Sequence, residues 1–205
     1  MKAKRAFDIA VSATALIALS PVFAVVSGAA CWRFRRAPFY STPRTGKDGR
    51  PFQIMKFRTM ADEKDDAGAL LDEPARTPAF GRFLRVTGID ELPQLWNILK
   101  GDMSLVGPRP RAPGEVAGNA DAMGLYERVL AVRPGLTGPW QVATIGKGPM
   151  TDMERMRLDY AYAACDPSLA RDLALMARSL PAFVRGHNGE LPAASSGGLS
   201  WPLIR

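Results

Sequence analysis

From Ile9 to Trp32 the chain carries no charged side chain, and this run limits the possible folds more than any other feature. A straight helix needs about 20 consecutive apolar residues to cross the hydrocarbon of a bilayer, so the run is long enough to span. Its flanks argue against a simple span. Lys2, Lys4 and Arg5 precede it, Arg33, Arg35 and Arg36 follow it, and Asp8 is the only acid from Met1 to Arg36. Lys and Arg mark the cytoplasmic side of a membrane helix, and here they stand at both ends. A cleaved signal peptide fits no better, because the run is longer than an ordinary signal core and a basic cluster follows it directly. Ser20-Pro21 lies mid-run. Proline removes one helix hydrogen bond and bends the helix, and a neighbouring serine can bond an upstream carbonyl. A re-entrant helix that enters one leaflet, breaks at Ser20-Pro21 and leaves on the side it entered accounts for all three facts. A spanning helix is the alternative, and either one implies membrane attachment.

The net charge of +7 and a pI near 9.8 imply an anionic partner, whether nucleic acid, phospholipid or a phosphorylated substrate. Nucleic acid is disfavoured, because the charge is split around the apolar run and no groove-reading motif is present. The single histidine, His187, argues against a histidine-based metal site or a Ser-His-Asp triad. Cys31 and Cys165 are too far apart for a CxxC spacing and are expected to be reduced and structural.

Past the apolar run the length suits one domain with a core. Pro38-Phe39-Tyr40 and Phe52 to Arg58 read as strands of a short hairpin, joined by a turn at Gly46-Lys47-Asp48-Gly49. Ala61 to Pro78 is acidic with little apolar periodicity, as in a mobile loop or frayed helix. Phe80 to Arg85 reads as a short basic-apolar helix or turn. Gly107 to Arg111 and Arg133 to Gly138 are rigid loops punctuated by Gly and Pro, each carrying arginine. Glu115 to Ala131 is weakly helical. Thr151 with Glu154 forms a capping box, which predicts a helix from Asp152 to Ala164. Asp166-Pro167 is expected to cap a further helix to about Val184, bent or ended by Pro181. The residues beyond, rich in Gly, Ser, Pro and Ala, are expected to be disordered over 187–205.

Between these elements lies Gly88-Ile89-Asp90-Glu91-Leu92-Pro93-Gln94-Leu95-Trp96-Asn97. Leu92, Leu95, Trp96 and Leu99 follow at helical spacing. Asp90 is the expected N-cap, with Pro93 in the first turn, where a missing N–H costs nothing. A carboxylate there meets free N–H groups and the positive end of the helix dipole, so it stays ionised. It could then serve as a nucleophile or a metal ligand. The plainer reading is a capping Asp90 followed by a surface Glu91.

With these pieces in order, the chain resembles the bacterial sugar transferases, the monotopic phosphoglycosyl transferases. The resemblance is carried by Lys4-Arg5-Ala6-Phe7-Asp8, the Ser20-Pro21 break, Lys56-Phe57-Arg58-Thr59-Met60, Asp90-Glu91-Leu92-Pro93-Gln94-Leu95, Gly101 to Pro110 and Arg133-Pro134-Gly135-Leu136-Thr137-Gly138. It implies an α+β, mostly helical fold: a re-entrant membrane helix over 1–36, then a small cytoplasmic catalytic domain over 37–186 with a short β-hairpin and interfacial amphipathic helices. The implied location is the cytoplasmic face of the inner membrane.

The implied reaction moves a sugar 1-phosphate from a nucleoside diphosphate sugar, expected to be a UDP-sugar, to a polyprenyl phosphate such as undecaprenyl phosphate. Asp90 would be the nucleophile and Glu91 would help hold Mg²⁺. Arg85 and Arg109 match positions near the donor phosphates, and Lys56, Arg58 and Arg133 are further candidates. Where the family carries an arginine the chain has Ile145, with Lys147 available to supply the charge. The family's Gln-x-Arg appears as Thr42-Pro43-Arg44, and its serine two residues before the dyad is Gly88. The partners implied are therefore a nucleotide sugar, a polyprenyl phosphate and membrane lipid. The sequence leaves the oligomeric state open, a homodimer included. A catalytically degenerate, membrane-attached scaffold of the same fold is the alternative function.

Overall fold

Helices α1 (Lys2–Ala18) and α2 (Ser20–Phe34) meet at a bend of 62°. The structure, a computed structural model, describes residues 2–115, 120–147 and 150–185, without the side chains of 120–122, 145–147 and 180–185. The tail expected over 187–205 lies outside the described residues. The bend has a local cause. Pro21 has no N–H to give to the carbonyl of Ile17, and the Ser20 hydroxyl donates to that carbonyl instead, at 2.8 Å. The backbone ladder continues on either side through Leu19 N–H to Ala15 C=O and Phe23 N–H to Leu19 C=O. Among the described residues no single helix is long and apolar enough to cross a membrane; only the bent pair reaches that length and composition. Ile17, Val25 and Trp32 are exposed along the pair.

The expected hairpin is present: β1 (Phe39–Thr45) pairs antiparallel with β2 (Pro51–Phe57) around a 3₁₀ turn at Lys47–Gly49. The acidic stretch then forms a short helix, α3 (Glu73–Arg76), and leads into α4 (Ala79–Thr87), a 3₁₀ turn at Ile89–Glu91 and α5 (Gln94–Lys100). Strand β3 (Ser104–Val106), helix α6 (Ala120–Leu130), strand β4 (Gly135–Thr137) and helices α7 (Pro139–Lys147), α8 (Asp152–Ala164) and α9 (Leu169–Arg185) complete the order. The capping box of α8 forms in both directions between Thr151 and Glu154. Helix α9 continues through Pro181, and Ser168 accepts the Arg171 N–H at its start, the role expected of Asp166.

Two further expectations do not hold. The loops at 107–111 and 133–138 grow from strands, because β3 and β4 pair in parallel with Ser104 opposite Gly135 and Val106 opposite Thr137. Both cysteines are free but exposed, so neither is a core residue.

The first residues of α1 bind protein rather than facing outward as a cationic flank. Asp8, buried, accepts from the Ser104 hydroxyl at 2.9 Å and the Leu105 N–H at 3.1 Å. Lys4 pairs with buried Asp172 and donates to the Val106 carbonyl at 3.1 Å. Arg5 donates to the carbonyls of Ile98 at 2.6 Å and Leu99 at 2.8 Å in the last turn of α5, where the Ile98 carbonyl also accepts the Gly101 N–H at 3.0 Å. Below these bonds Phe7, Val11, Ala15 and Leu16 pack on a core of Ile54, Leu95, Ile98, Met103, Leu105, Val106, Val142 and Leu175. A second cluster joins Val26 of α2 to Phe57 and Leu84, with the Phe23 and Phe39 rings each 5.3 Å from the Phe57 ring. The apolar helix pair thus shares its core with the rest of the domain.

Candidate active site

The two adjacent carboxylates are set by the end of α4. Gly88 takes the left-handed conformation (φ 69°) that closes that helix. The chain turns at once into the 3₁₀ turn Ile89–Glu91, with Glu91 N–H to Gly88 C=O at 3.1 Å and Leu92 N–H to Ile89 C=O at 3.2 Å. Asp90 is therefore not the N-cap of the following helix. Pro93 occupies that place, and α5 begins only at Gln94. The buried face of α5 also differs from the expected stripe: Gln94, Leu95, Asn97 and Ile98 point inward, while Trp96 is exposed. Asn97 fastens the helix to the hairpin, donating to Gln53 C=O at 2.7 Å and accepting from Met55 N–H at 2.9 Å.

This anchoring places β2 beside the turn, where Lys56 Nζ meets Glu91 Oε1 at 2.6 Å. Asp90, adjacent in the same turn, is only 6% exposed. Lys56 and Glu91 lie in the wall of a solvent-open cleft of about 450 Å³, together with Arg44, Gln94, Arg109 and Gln141. Three arms of the fold converge there: the hairpin, the dyad turn and the pair of loops joined through β3–β4. The loops are in direct backbone contact, with Gly107 N–H bonded to Thr137 C=O at 2.9 Å and Gly135 N–H to Pro108 C=O at 2.8 Å.

Of the residues singled out from the sequence, Lys56, Glu91 and Arg109 share this cleft, with Asp90 buried beside Glu91. Arg109 lies over Trp140, another wall residue, with its guanidinium carbon 5.1 Å from the ring centre. Arg85, on the last turn of α4, donates to Thr59 Oγ1 at 3.0 Å and pairs with Glu73. Arg58 donates to the Ala37 carbonyl at 3.1 Å and pairs with Asp62 at 3.7 Å. Arg133 donates to the Gly101 carbonyl at 2.8 Å and lines a separate cavity with Lys4, Arg5 and Tyr162. Lys147 ends α7, and its side chain lies outside the description.

Arg44 and Gln94 stand in the sequence motifs above without a site role, and Trp140 and Gln141 join them in the cleft wall. Asp159 of α8 carried no sequence signal. Asp159 is fully buried, and its Oδ2 accepts the Arg109 N–H at 3.3 Å. Burial raises its pKa to about 7, outweighing the opposing pull of that hydrogen bond and of the Arg111 and Arg109 charges. Burial and the neighbouring Asp172 carboxylate likewise raise the Tyr162 hydroxyl.

Among the described residues no three His, Cys, Asp or Glu side chains cluster as a metal cage. Mg²⁺ commonly takes one or two carboxylates and completes its shell with water and substrate phosphate, and Glu91, in the cleft wall with Asp90 beside it, offers a carboxylate of that kind. A cleft holding one carboxylate among three cations, Arg44, Lys56 and Arg109, is built for a polyanion.

A family model for bacterial sugar transferases matches residues 1–186. The exopolysaccharide production protein ExoY of Sinorhizobium fredii is 36% identical over 197 residues, which is 87% of this chain and 84% of that protein. The UDP-glucose:undecaprenyl-phosphate glucose-1-phosphate transferase of Caulobacter vibrioides is 35% identical, over 90% of this chain and 71% of that protein. The undecaprenyl-phosphate galactose phosphotransferase of Salmonella typhimurium is 34% identical, over 89% of this chain and 40% of that longer protein.

Proposed function

The chain belongs to the bacterial sugar transferase family, and we propose that it transfers a sugar 1-phosphate from a UDP-sugar to a polyprenyl phosphate, the first membrane step of a glycoconjugate or exopolysaccharide. The single observation that carries this reading is the cation-lined cleft whose wall includes Glu91 beside Asp90. The names of the Caulobacter and Salmonella relatives supply the acceptor class, and the Caulobacter name also supplies the UDP donor.

In this reading Arg109, Arg44 and Lys56 neutralise the diphosphate. A carboxylate oxygen of Asp90 attacks the sugar-bearing phosphorus. The bond from that phosphorus to the bridging oxygen breaks, UMP leaves with the electron pair, and an aspartyl-phosphosugar remains. A phosphate oxygen of the acceptor then attacks the same phosphorus and releases the Asp90 carboxylate, giving the polyprenyl diphosphosugar. Splitting one transfer into two displacements is the general logic of covalent catalysis. Mg²⁺ held by Glu91, when bound, would draw charge from the phosphate oxygens. Burial shields Asp90 from water, which protects an acyl phosphate from hydrolysis.

The bent α1–α2 pair would enter one leaflet and return, keeping the cleft at the cytoplasmic face of the inner membrane where both substrates meet. The test is incubation of the detergent-solubilised protein with radiolabelled UDP-sugars and undecaprenyl phosphate, followed by trapping with donor alone. Lipid-linked product together with a phosphosugar adduct on Asp90 supports the reading; product formed equally by Asp90→Asn overturns it.

A further inference from the structure

Arg109 reaches the cleft from a loop, 107–111, whose ends are tied by backbone bonds: Gly107 N–H to Thr137 C=O and Thr45 N–H to Arg111 C=O, each 2.9 Å. At its midpoint the loop is held by a side chain from another element, Asp159 of α8, bonded to the Arg109 N–H. A buried carboxyl is an expensive residue on packing grounds alone, since an apolar side chain would avoid its desolvation. Its second oxygen, Oδ1, has no hydrogen-bond partner among the described residues. One turn earlier on α8, Arg155 lies 5.7 Å from the Trp140 ring, the same ring that supports the Arg109 guanidinium. Helix α8 thus reaches Arg109 by two routes, through its backbone and through the aromatic surface beneath its side chain.

We propose that Asp159 is a positioning residue: it fixes the backbone at Arg109 so that the guanidinium, lying on Trp140, is presented to the donor diphosphate. This rests on the reading above, in which Arg109 binds those phosphates. Such a role needs an acceptor oxygen at the end of the side chain and no negative charge. Asparagine should therefore replace Asp159, and alanine should not.

The test is a double-mutant cycle in the full-length, detergent-solubilised protein. It reads UDP binding by calorimetry and, with UDP-glucose and UDP-galactose as donors, KM and kcat. Asp159→Ala should weaken UDP binding and raise donor KM about tenfold, with a smaller change in kcat. Asp159→Asn should stay within about threefold of wild type, and Asp159→Ala should add less than about twofold to the loss caused by Arg109→Ala. If Asp159→Ala does not fold, Asp159→Ser, polar but too short to reach the Arg109 N–H, takes its place. A fully additive double mutant, or an asparagine variant as impaired as the alanine one, overturns the positioning role while leaving the phosphate reading intact. An Arg109→Ala variant that binds UDP as wild type does overturns the phosphate reading first, and the positioning role with it.

Discussion

Glu91 meets Lys56 across 2.6 Å at the cleft wall, while Asp90, next to it, is almost withdrawn from solvent. Two carboxylates in one turn thus have different surroundings, and their substitutions should separate. Asp90→Asn should lower turnover by more than about a thousandfold, since a nucleophile acts as a unit with its surroundings. Lys56→Met should lower kcat/KM by roughly 10²-fold, the usual cost of removing one charge-stabilising donor. A Lys56→Met enzyme with wild-type kcat/KM would mean that the ion pair only shapes the turn. Asp159 offers a third residue-scale prediction, on stability. Its folded-state pKa of about 7 stands above the unfolded value of 3.8, so between those values the native state binds the extra proton. Stability from this group is therefore present at low pH and lost as pH rises toward 7. Asp159→Asn should be no more stable than wild type near pH 4, then gain on it up to pH 7 by at most about 4 kcal/mol. Denaturant melts at several pH values check this, and a gap that does not widen with pH refutes it. The carboxylate pair was legible as two adjacent acids and Arg109 through the resemblance, and Glu91 and Arg109 line one cleft. Asp159 was not legible, since nothing near it in the chain reveals the loop it holds.

At the scale of elements, local signals carried far. The capping box placed α8 at the expected bounds, the paired turn glycines placed the hairpin, and Ser20-Pro21 placed the bend. The role of Lys4, Arg5 and Asp8 was not legible. As a charged flank of an apolar run they read as membrane topology, whereas their partners lie at 98–106 and 172 and become visible only in the fold. Asp8→Ala would strand the Ser104 hydroxyl and the Leu105 N–H in a buried site. The expected cost is about 2–4 kcal/mol, seen as a lower denaturation midpoint in detergent; an unchanged midpoint would show that the Asp8 bonds do not hold α1 in place. The bend makes a separate, topological prediction. Tags at both ends should be inaccessible from the periplasm in intact cells, and replacing Ser20 and Pro21 with alanine and leucine should expose one of them by straightening the pair into a span. Identical labelling of both proteins would place the cause of the bend elsewhere.

At the scale of the whole molecule, the cleft exists because two short strands far apart in sequence pair in parallel. Strands of three residues each carry no readable alternation, and for that reason the sequence showed two arginine loops but not their meeting. The contact is close enough to be tested by a single carbon. A Cβ added to Gly135 would stand 2.1 Å from the Gly107 nitrogen and 2.4 Å from the Thr137 carbonyl oxygen. These are backbone atoms, which cannot swing aside as a flexible side chain can. Gly135→Ala must therefore part β3 from β4, carrying the Arg109 loop away from Trp140 and Gln141. Overpacking of this kind costs about 1–3 kcal/mol, and a displacement near 1 Å at a substrate-positioning group costs about 10²-fold in rate. Gly124→Ala in α6 makes the same chemical change where nothing lies within 4 Å, and should melt at or above the wild-type temperature with normal turnover. If Gly135→Ala behaves like Gly124→Ala in both thermal melting and turnover, the two loops do not depend on their contact, and the cleft must be held together by the hairpin and the dyad turn alone.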